Sequence, residues 1–322
     1  MIFIVGYSRS GTKMMNQVLA KMQIADSVPE VHFFEQIYDF SEPEERRNRN
    51  LSKTEAAAIS DKLVSIVSRI GSHLDNGKAI ADIKSGMASF VRDTRALTKL
   101  DIYKQLLAQI SSRAAIDPTP RNAYYIEEIA ELIPDARFIY MVRDPRDCIL
   151  SQQRKGAIYW RQEKHRGEAI RLWLNYNPLL MAIFWKNSIE NYRKAISGQH
   201  ADHVLRINYE NMIEHPESVA EILHRFTGMG RSSFDVTFIR QDNARKWVDT
   251  LQPAEVHLIQ LITGPTLEEF GYERIAIPWS ARLRSYLLTI YYCAKMPIAF
   301  LANWQRMKNP VQVIRRRILG AT

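Results

Sequence analysis

The sequence predicts an α/β fold in which helices flank a central parallel sheet. Three observations carry that reading. An apolar strand at residues 2–6 breaks at a glycine and reopens as an amphipathic helix, a second apolar strand at 137–142 runs straight into another helix, and a third lies at 203–208 with helices after it. Strands separated by helical stretches pair in parallel through crossovers, and uninterrupted apolar strands suit a sheet covered on both faces. With 322 residues and 46% hydrophobic content, the chain can bury one large core, or a core and a lobe.

In chain order, Ile2-Phe-Ile-Val-Gly6 is the first strand. A helix follows over 12–23, with Met15, Val18, Leu19 and Met22 at i, i+3, i+4 and i+7. The charged stretch 35–75 turns helical from residue 54, and a short β-like stretch is expected at Ala79–Ile83. Helices then run to about residue 110, and a helix over Asn122–Leu132 leads into the strand at Arg137. The helical region 165–195 should break at Pro178, and helices are expected at 215–228 and 253–263. No repeat or low-complexity linker divides the chain. It reads as an α/β domain over 1–278 with a basic, apolar helical extension over 279–322.

The loop after the first strand carries the chemistry. Gly6 and Gly11 have the spacing of the G-x-x-x-x-G-K-[ST] phosphate loop, but Thr12 precedes Lys13, and Arg9 adds a cation inside the loop. Exchanging the two positions turns the lysine by about 100° around the helix. Magnesium-dependent phosphoryl transfer is thereby disfavoured. Anion binding at a glycine-bounded loop and a helix N-terminus is retained.

Gly6-Tyr-Ser-Arg-Ser-Gly-Thr12 resembles the G-x-P-R-S-G-T-T loop of sulfotransferases that use 3′-phosphoadenosine 5′-phosphosulfate (PAPS), with Ser8 for the proline and Lys13 for the second threonine. The resemblance implies a P-loop-like fold and a 5′-phosphosulfate cradle formed by Arg9, Ser10, Gly11, Thr12 and Lys13. A second match lies 130 residues on. After the strand Arg137–Val142 comes Arg143-Asp-Pro-Arg-Asp147, where Asp144 suits an N-cap, Pro145 the first helical position, and Asp147 a capping-box-like start. Arg143 and Ser151 resemble the family's 3′-phosphate clamp. A guanidinium fork with a hydroxyl suits a phosphomonoester dianion, while the bland reading is a surface arginine pairing Asp144 or Asp147.

Val204–Met212 with His215-Pro-Glu resembles the family's "YEDL…P" element. That reading makes Tyr209 an adenine contact, and a core tyrosine at a strand end is an equal alternative. Asn243-Ala-Arg-Lys-Trp247 loosely resembles a late basic loop, with Arg245 a candidate ligand and Trp247 a core residue.

Sulfuryl transfer needs a base for the acceptor's proton and cations for the developing charge. Arg9 is the cation. Glu30 stands 21 residues after Arg9, a spacing similar to that of the family's catalytic glutamate. His32, with an ordinary pKa near neutrality, is the other candidate base, although a packing histidine is the plainer reading. Relatives carry a lysine in a "DKTP" segment where this chain reads Asp117-Pro-Thr-Pro120, so Lys84 or Lys13 is expected to replace its charge.

Cys148 and Cys293 stand far apart without a CxxC, which gives no support for a zinc site and suits a reducing compartment. No metal is expected in the reaction. The chain opens directly on its first strand, and a cytoplasmic protein, peripheral at the inner membrane face, is the expectation. From Ser280 onward there are eight Lys/Arg and no Asp/Glu, against a net charge of +9 for the whole. Tyr286, Leu287, Ile290, Tyr291 and Ala294 form an apolar helical stripe beside Arg282, Arg284 and Arg315–Arg317, which suits an anionic lipid surface. A helix packed on the domain is the alternative. No nucleic-acid module accompanies the basic tail.

The sequence reading is thus a PAPS-dependent sulfotransferase acting on a hydroxyl or amine of a carbohydrate, glycolipid or small metabolite. A kinase with an unusual phosphate loop and a non-catalytic nucleotide-binding membrane protein are the rivals.

Overall fold

The computed structural model describes residues 1–70, 74, 77–161, 166–231, 235–239, 244–303 and 314–318. It contains four parallel strands, β1 (Ile2–Gly6), β2 (Ile116–Asp117), β3 (Arg137–Val142) and β4 (Val204–Asn208), in the order β2-β1-β3-β4. Every residue of β1 is buried, as is all of β3 except Arg137. This is why both read as uninterrupted apolar runs. The edge strand β4 is only partly covered.

The chain forms two compact units, Met1–Val142 with Tyr192–Arg240, and Arg143–Asn191 with Gln241–Thr322. The first holds the whole sheet. Its helices include α1 (Thr12–Lys21), α2 (Phe33–Gln36), α3 (Glu44–Arg47), α4 (Lys53–Val67), α5 (Ile80–Asp93), α6 (Lys99–Ile110) and α7 (Ile126–Leu132). The second begins with α8 (Pro145–Trp160) and α9 (Arg166–Asn175); α10 (Pro178–Ser197) starts with Pro178 as its first residue, the expected break. The first unit also holds α11 (Tyr209–Glu214) and α12 (Pro216–Thr227), and the second holds α13 (Pro253–Glu269) and α14 (Trp279–Asn303). The boundary expected after Pro278 falls inside the second unit.

Two local expectations are corrected. Ala79–Ile83 is not strand-like but opens α5, because Ile83, Met87 and Val91 recur every fourth residue and bury one helical face. The helix expected over Asn122–Leu132 is split into a 3₁₀ turn, Pro120–Tyr124, and α7.

Beside β1 and β2, Phe33 stacks on Tyr103 at 4.2 Å between ring centroids, with Phe34 edge-on to both. Phe33 and Phe34 are almost wholly buried. This aromatic cluster fixes α2, and with it the segment just before it that carries Glu30 and His32.

Candidate active site

In the first unit the phosphate loop is shaped by backbone needs. Gly6 has φ 146°, and a Cβ there would lie 2.3 Å from the Met141 carbonyl oxygen of the paired strand. Only glycine lets the chain leave the sheet at this point. Arg9 and Gly11 also have positive φ, 72° and 97°, and the Ser10 N–H donates to the Tyr7 carbonyl at 3.1 Å. Ser10 and Thr12 are buried, whereas Arg9 and Lys13 are exposed. Helix α1 starts after Gly11 with no side-chain cap and no acidic residue in its first turn. Such an N-terminus presents backbone N–H groups and a positive dipole end to an anion.

Tyr209 is buried, and a Cβ on Gly11 would lie 2.4 Å from its Cδ2. The ring therefore packs directly on the loop's last glycine. Tyr209 opens α11 rather than ending a strand.

The Glu30 segment is pinned from both sides. Before it, Asn16 of α1 donates from Nδ2 to the Val28 carbonyl at 2.7 Å. After it, the Val31 and His32 N–H groups both donate to Thr119 Oγ1, at 3.0 and 3.1 Å. Thr119 N–H in turn donates to Asp117 Oδ1 at 2.9 Å, and Asp117 Oδ2 accepts from the Tyr103 hydroxyl at 2.6 Å and from Asn122 at 3.2 Å. Asp117, Thr119 and Asn122 are essentially inaccessible to solvent. Asp117-Pro-Thr-Pro120, considered in the sequence only for the lysine it lacks, is thus a brace for the Glu30 segment. Its positioning role left no pattern beyond the segment itself.

Glu30 is 47% exposed, and its Oε2 lies 3.2 Å from His32 Nε2. His32 Nδ1 lies 3.5 Å from Glu35, whose other oxygen binds Arg121 at 2.6 Å. Burial works against a charged His32, but Glu30 and Glu35 more than offset it and raise its pKa to about 9. The expectation of a near-neutral pKa for His32 is corrected: at neutral pH the ring is an imidazolium and cannot accept a proton. Because the folded value lies above the ordinary 6.5, this proton adds stability that is whole below pH 6.5 and is lost as pH rises through about 9. With half-exposed Glu30 screened by water, the loss is about 2 kcal/mol. Urea melts across that range should show it in the native chain and not in His32→Gln; equal pH dependence in both contradicts the assignment.

Lys84 lies on the exposed side of α5, and no hydrogen bond or ion pair ties it to the loop among the described residues.

The second unit builds a separate cluster. Arg143 is the residue after β3; its carbonyl accepts from Trp185 Nε1 at 3.0 Å. Asp144 caps α8 through the Arg146 N–H at 2.9 Å. Asp144 also forks onto the buried Arg146 guanidinium, which lies over the Trp247 ring at 3.9 Å. Asp144 therefore pairs with Arg146, as a structural bond.

Asp147 does not close a capping box. Its carboxylate accepts from the N–H groups of Arg245 and Trp247, at 2.7 and 3.1 Å, and so holds a loop a hundred residues away. Burial pushes the Asp147 carboxyl up, opposed by the nearby Arg143 charge and those two N–H groups. Ser151 follows one helical turn later on the same face of α8. Arg245 is exposed with φ 56°, whereas Trp247 is buried as core; Asn243 lies outside the described residues.

Residues 2–233 match the sequence profile of the sulfotransferase family. The chain belongs to the sulfotransferase family. Its fold is similar to that of the sulfotransferase domain from the Synechococcus PCC 7002 olefin synthase, with 22% identity, 85% of this chain and 94% of that one covered, and a TM-score of 0.52. The sulfotransferase domain from the curacin biosynthetic pathway is also similar, with 20% identity, coverage of 85% and 98%, and a TM-score of 0.50. No curated protein sequence matches the chain. In this sulfotransferase the family match takes in the phosphate loop, the Glu30 segment, Arg143 and Ser151, and Tyr209, whereas Arg245 lies beyond it.

Proposed function

We propose that this sulfotransferase moves the sulfuryl group of PAPS to a hydroxyl or amine of a carbohydrate, glycolipid or small metabolite, with Glu30 as general base. The observation that carries the assignment of the base is the bracing of Glu30 by Asn16 and Thr119, next to a histidine already holding its proton. Of the two candidates, only a carboxylate is open to the acceptor's proton.

The residues fit the donor. The uncapped, acid-free start of α1 and the glycine-built loop suit the 5′-phosphosulfate, and Arg143 and Ser151, which resemble the family's 3′-phosphate clamp, suit a phosphomonoester. Bound PAPS supplies an activated sulfuryl group. As Glu30 takes the acceptor's proton, the acceptor oxygen or nitrogen bonds to sulfur and the sulfur–oxygen bond to the 5′-phosphate breaks. Arg9, Lys13 and the loop N–H groups balance the charge left on the departing phosphate. His32⁺ holds the Glu30 carboxylate in place.

Arg143→Ala tests the donor assignment. Calorimetry should find adenosine 3′,5′-bisphosphate weakened by roughly one to two decades, the worth of a charge-assisted bidentate contact, and adenosine 5′-phosphosulfate nearly unchanged. The Arg143 carbonyl stays bonded to Trp185 in the variant, so the backbone is kept. Equal weakening of both ligands would remove Arg143 from the 3′-phosphate site.

A further inference from the structure

Helix α14 is built inside out. Its buried residues are Ser285, Tyr292 and Lys295, and each finds a polar partner within the second unit. Ser285 Oγ lies 2.8 Å from His257 Nδ1, the Tyr292 hydroxyl donates to Glu255 Oε1 at 3.1 Å, and Lys295 Nζ donates to the Trp173 and Tyr176 carbonyls at 2.5 and 3.1 Å. The outward face holds Leu283, Tyr286, Leu287, Ile290, Ile298 and Leu301, all between 55% and 72% exposed. A helix facing water has the opposite arrangement.

We infer that α14 lies in the plane of an anionic lipid bilayer, its outward stripe sunk into the boundary between headgroups and acyl chains. Three observations select this occupant. Charge is the first: Arg282 and Arg284 flank the start of the stripe, Arg315–Arg317 follow it in the chain, and no acidic residue occurs from Ser280 to the end. That complements anionic headgroups and repels a second copy of a chain carrying +9. The second is the aromatic set Trp279, Tyr286 and Tyr291, all exposed, whose amphipathic rings suit the headgroup level.

The third concerns orientation. Among the described residues α14 is the one helix long and apolar enough to cross a membrane, yet crossing would strip Ser285, Tyr292 and Lys295 of these partners outside the helix. An in-plane helix keeps those bonds and buries only the apolar side. The inference stands independently of the proposed reaction.

The test is flotation of the full chain with phosphatidylcholine vesicles, with and without phosphatidylglycerol. Binding should require the anionic lipid and weaken at high salt, since screening acts over about 8 Å at physiological ionic strength. Leu287→Glu with Ile290→Glu should lower partitioning by at least about tenfold, because two apolar anchors become charges. Both side chains project outward, so the thermal midpoint should not change. Deleting the helix is the poorer test, because it would take the Tyr292 hydroxyl from Glu255 and the Ser285 hydroxyl from His257. No flotation of the native chain, equal flotation of the double variant, or a dimer in sedimentation that the same substitutions dissociate would each overturn the inference.

Discussion

Glu30→Gln should bind donor as the native protein does and lose turnover by ~10²–10⁴, the usual worth of a positioned general base. Glutamine keeps the size of the side chain but has no carboxylate to receive a proton. The brace is untouched, because Asn16 and Thr119 bond to backbone atoms of Val28, Val31 and His32. His32→Gln should cost far less, since the ring acts on the position of Glu30 and not on the acceptor. The pairing of the two variants makes the assignment decisive. Near-normal turnover in Glu30→Gln, with loss in His32→Gln, would exchange the two roles.

The largest structural effect is expected at Gly6. In Gly6→Ala the new Cβ would meet the Met141 carbonyl oxygen at 2.3 Å while the backbone stays at φ 146°. The β1–β3 pairing must then separate where the loop leaves the sheet. Strain and overlap together should cost about 4 kcal/mol, read as a fall in the urea midpoint. Gly77→Ala is the control. Gly77 also has positive φ, 84°, but among the described residues nothing lies within 4 Å of its Cβ position, so only strain of about 1–2 kcal/mol applies. If both variants lose the same stability, the close approach to Met141 contributes nothing.

What the sequence revealed was whatever rests on local pattern. β1, β3 and β4 are five- or six-residue runs flanked by turn and cap residues, and each is found within a residue of its expected place. By contrast β2 is only two residues long and exists through its pairing with β1, so no periodicity announces it. Ala79–Ile83 misled because five apolar-rich residues fit either period; the helix is decided by Met87 and Val91, farther along.

The same division runs through the site. Gly6 and Gly11 declared themselves by spacing, whereas Glu30 was singled out by a resemblance in its distance from Arg9, and its role as base is the proposal. Asp147 looked like a local cap, yet its partners are the N–H groups of Arg245 and Trp247. The Thr119 hydroxyl holds the segment by its backbone N–H groups, which carry no side-chain signature. The charge of His32 depends on Glu35 as well as Glu30, and their approach is set by the turn at His32, where φ is 55°.

The central claim, a site for PAPS and for the adenosine 3′,5′-bisphosphate it leaves, is tested most directly by calorimetric titration of the full chain. Adenosine 3′,5′-bisphosphate in the presence of a chelator should saturate a single site, and ATP with Mg²⁺ should bind far more weakly or not at all. Tight binding of ATP that requires Mg²⁺, with no heat from the bisphosphate, would contradict the account and favour a kinase.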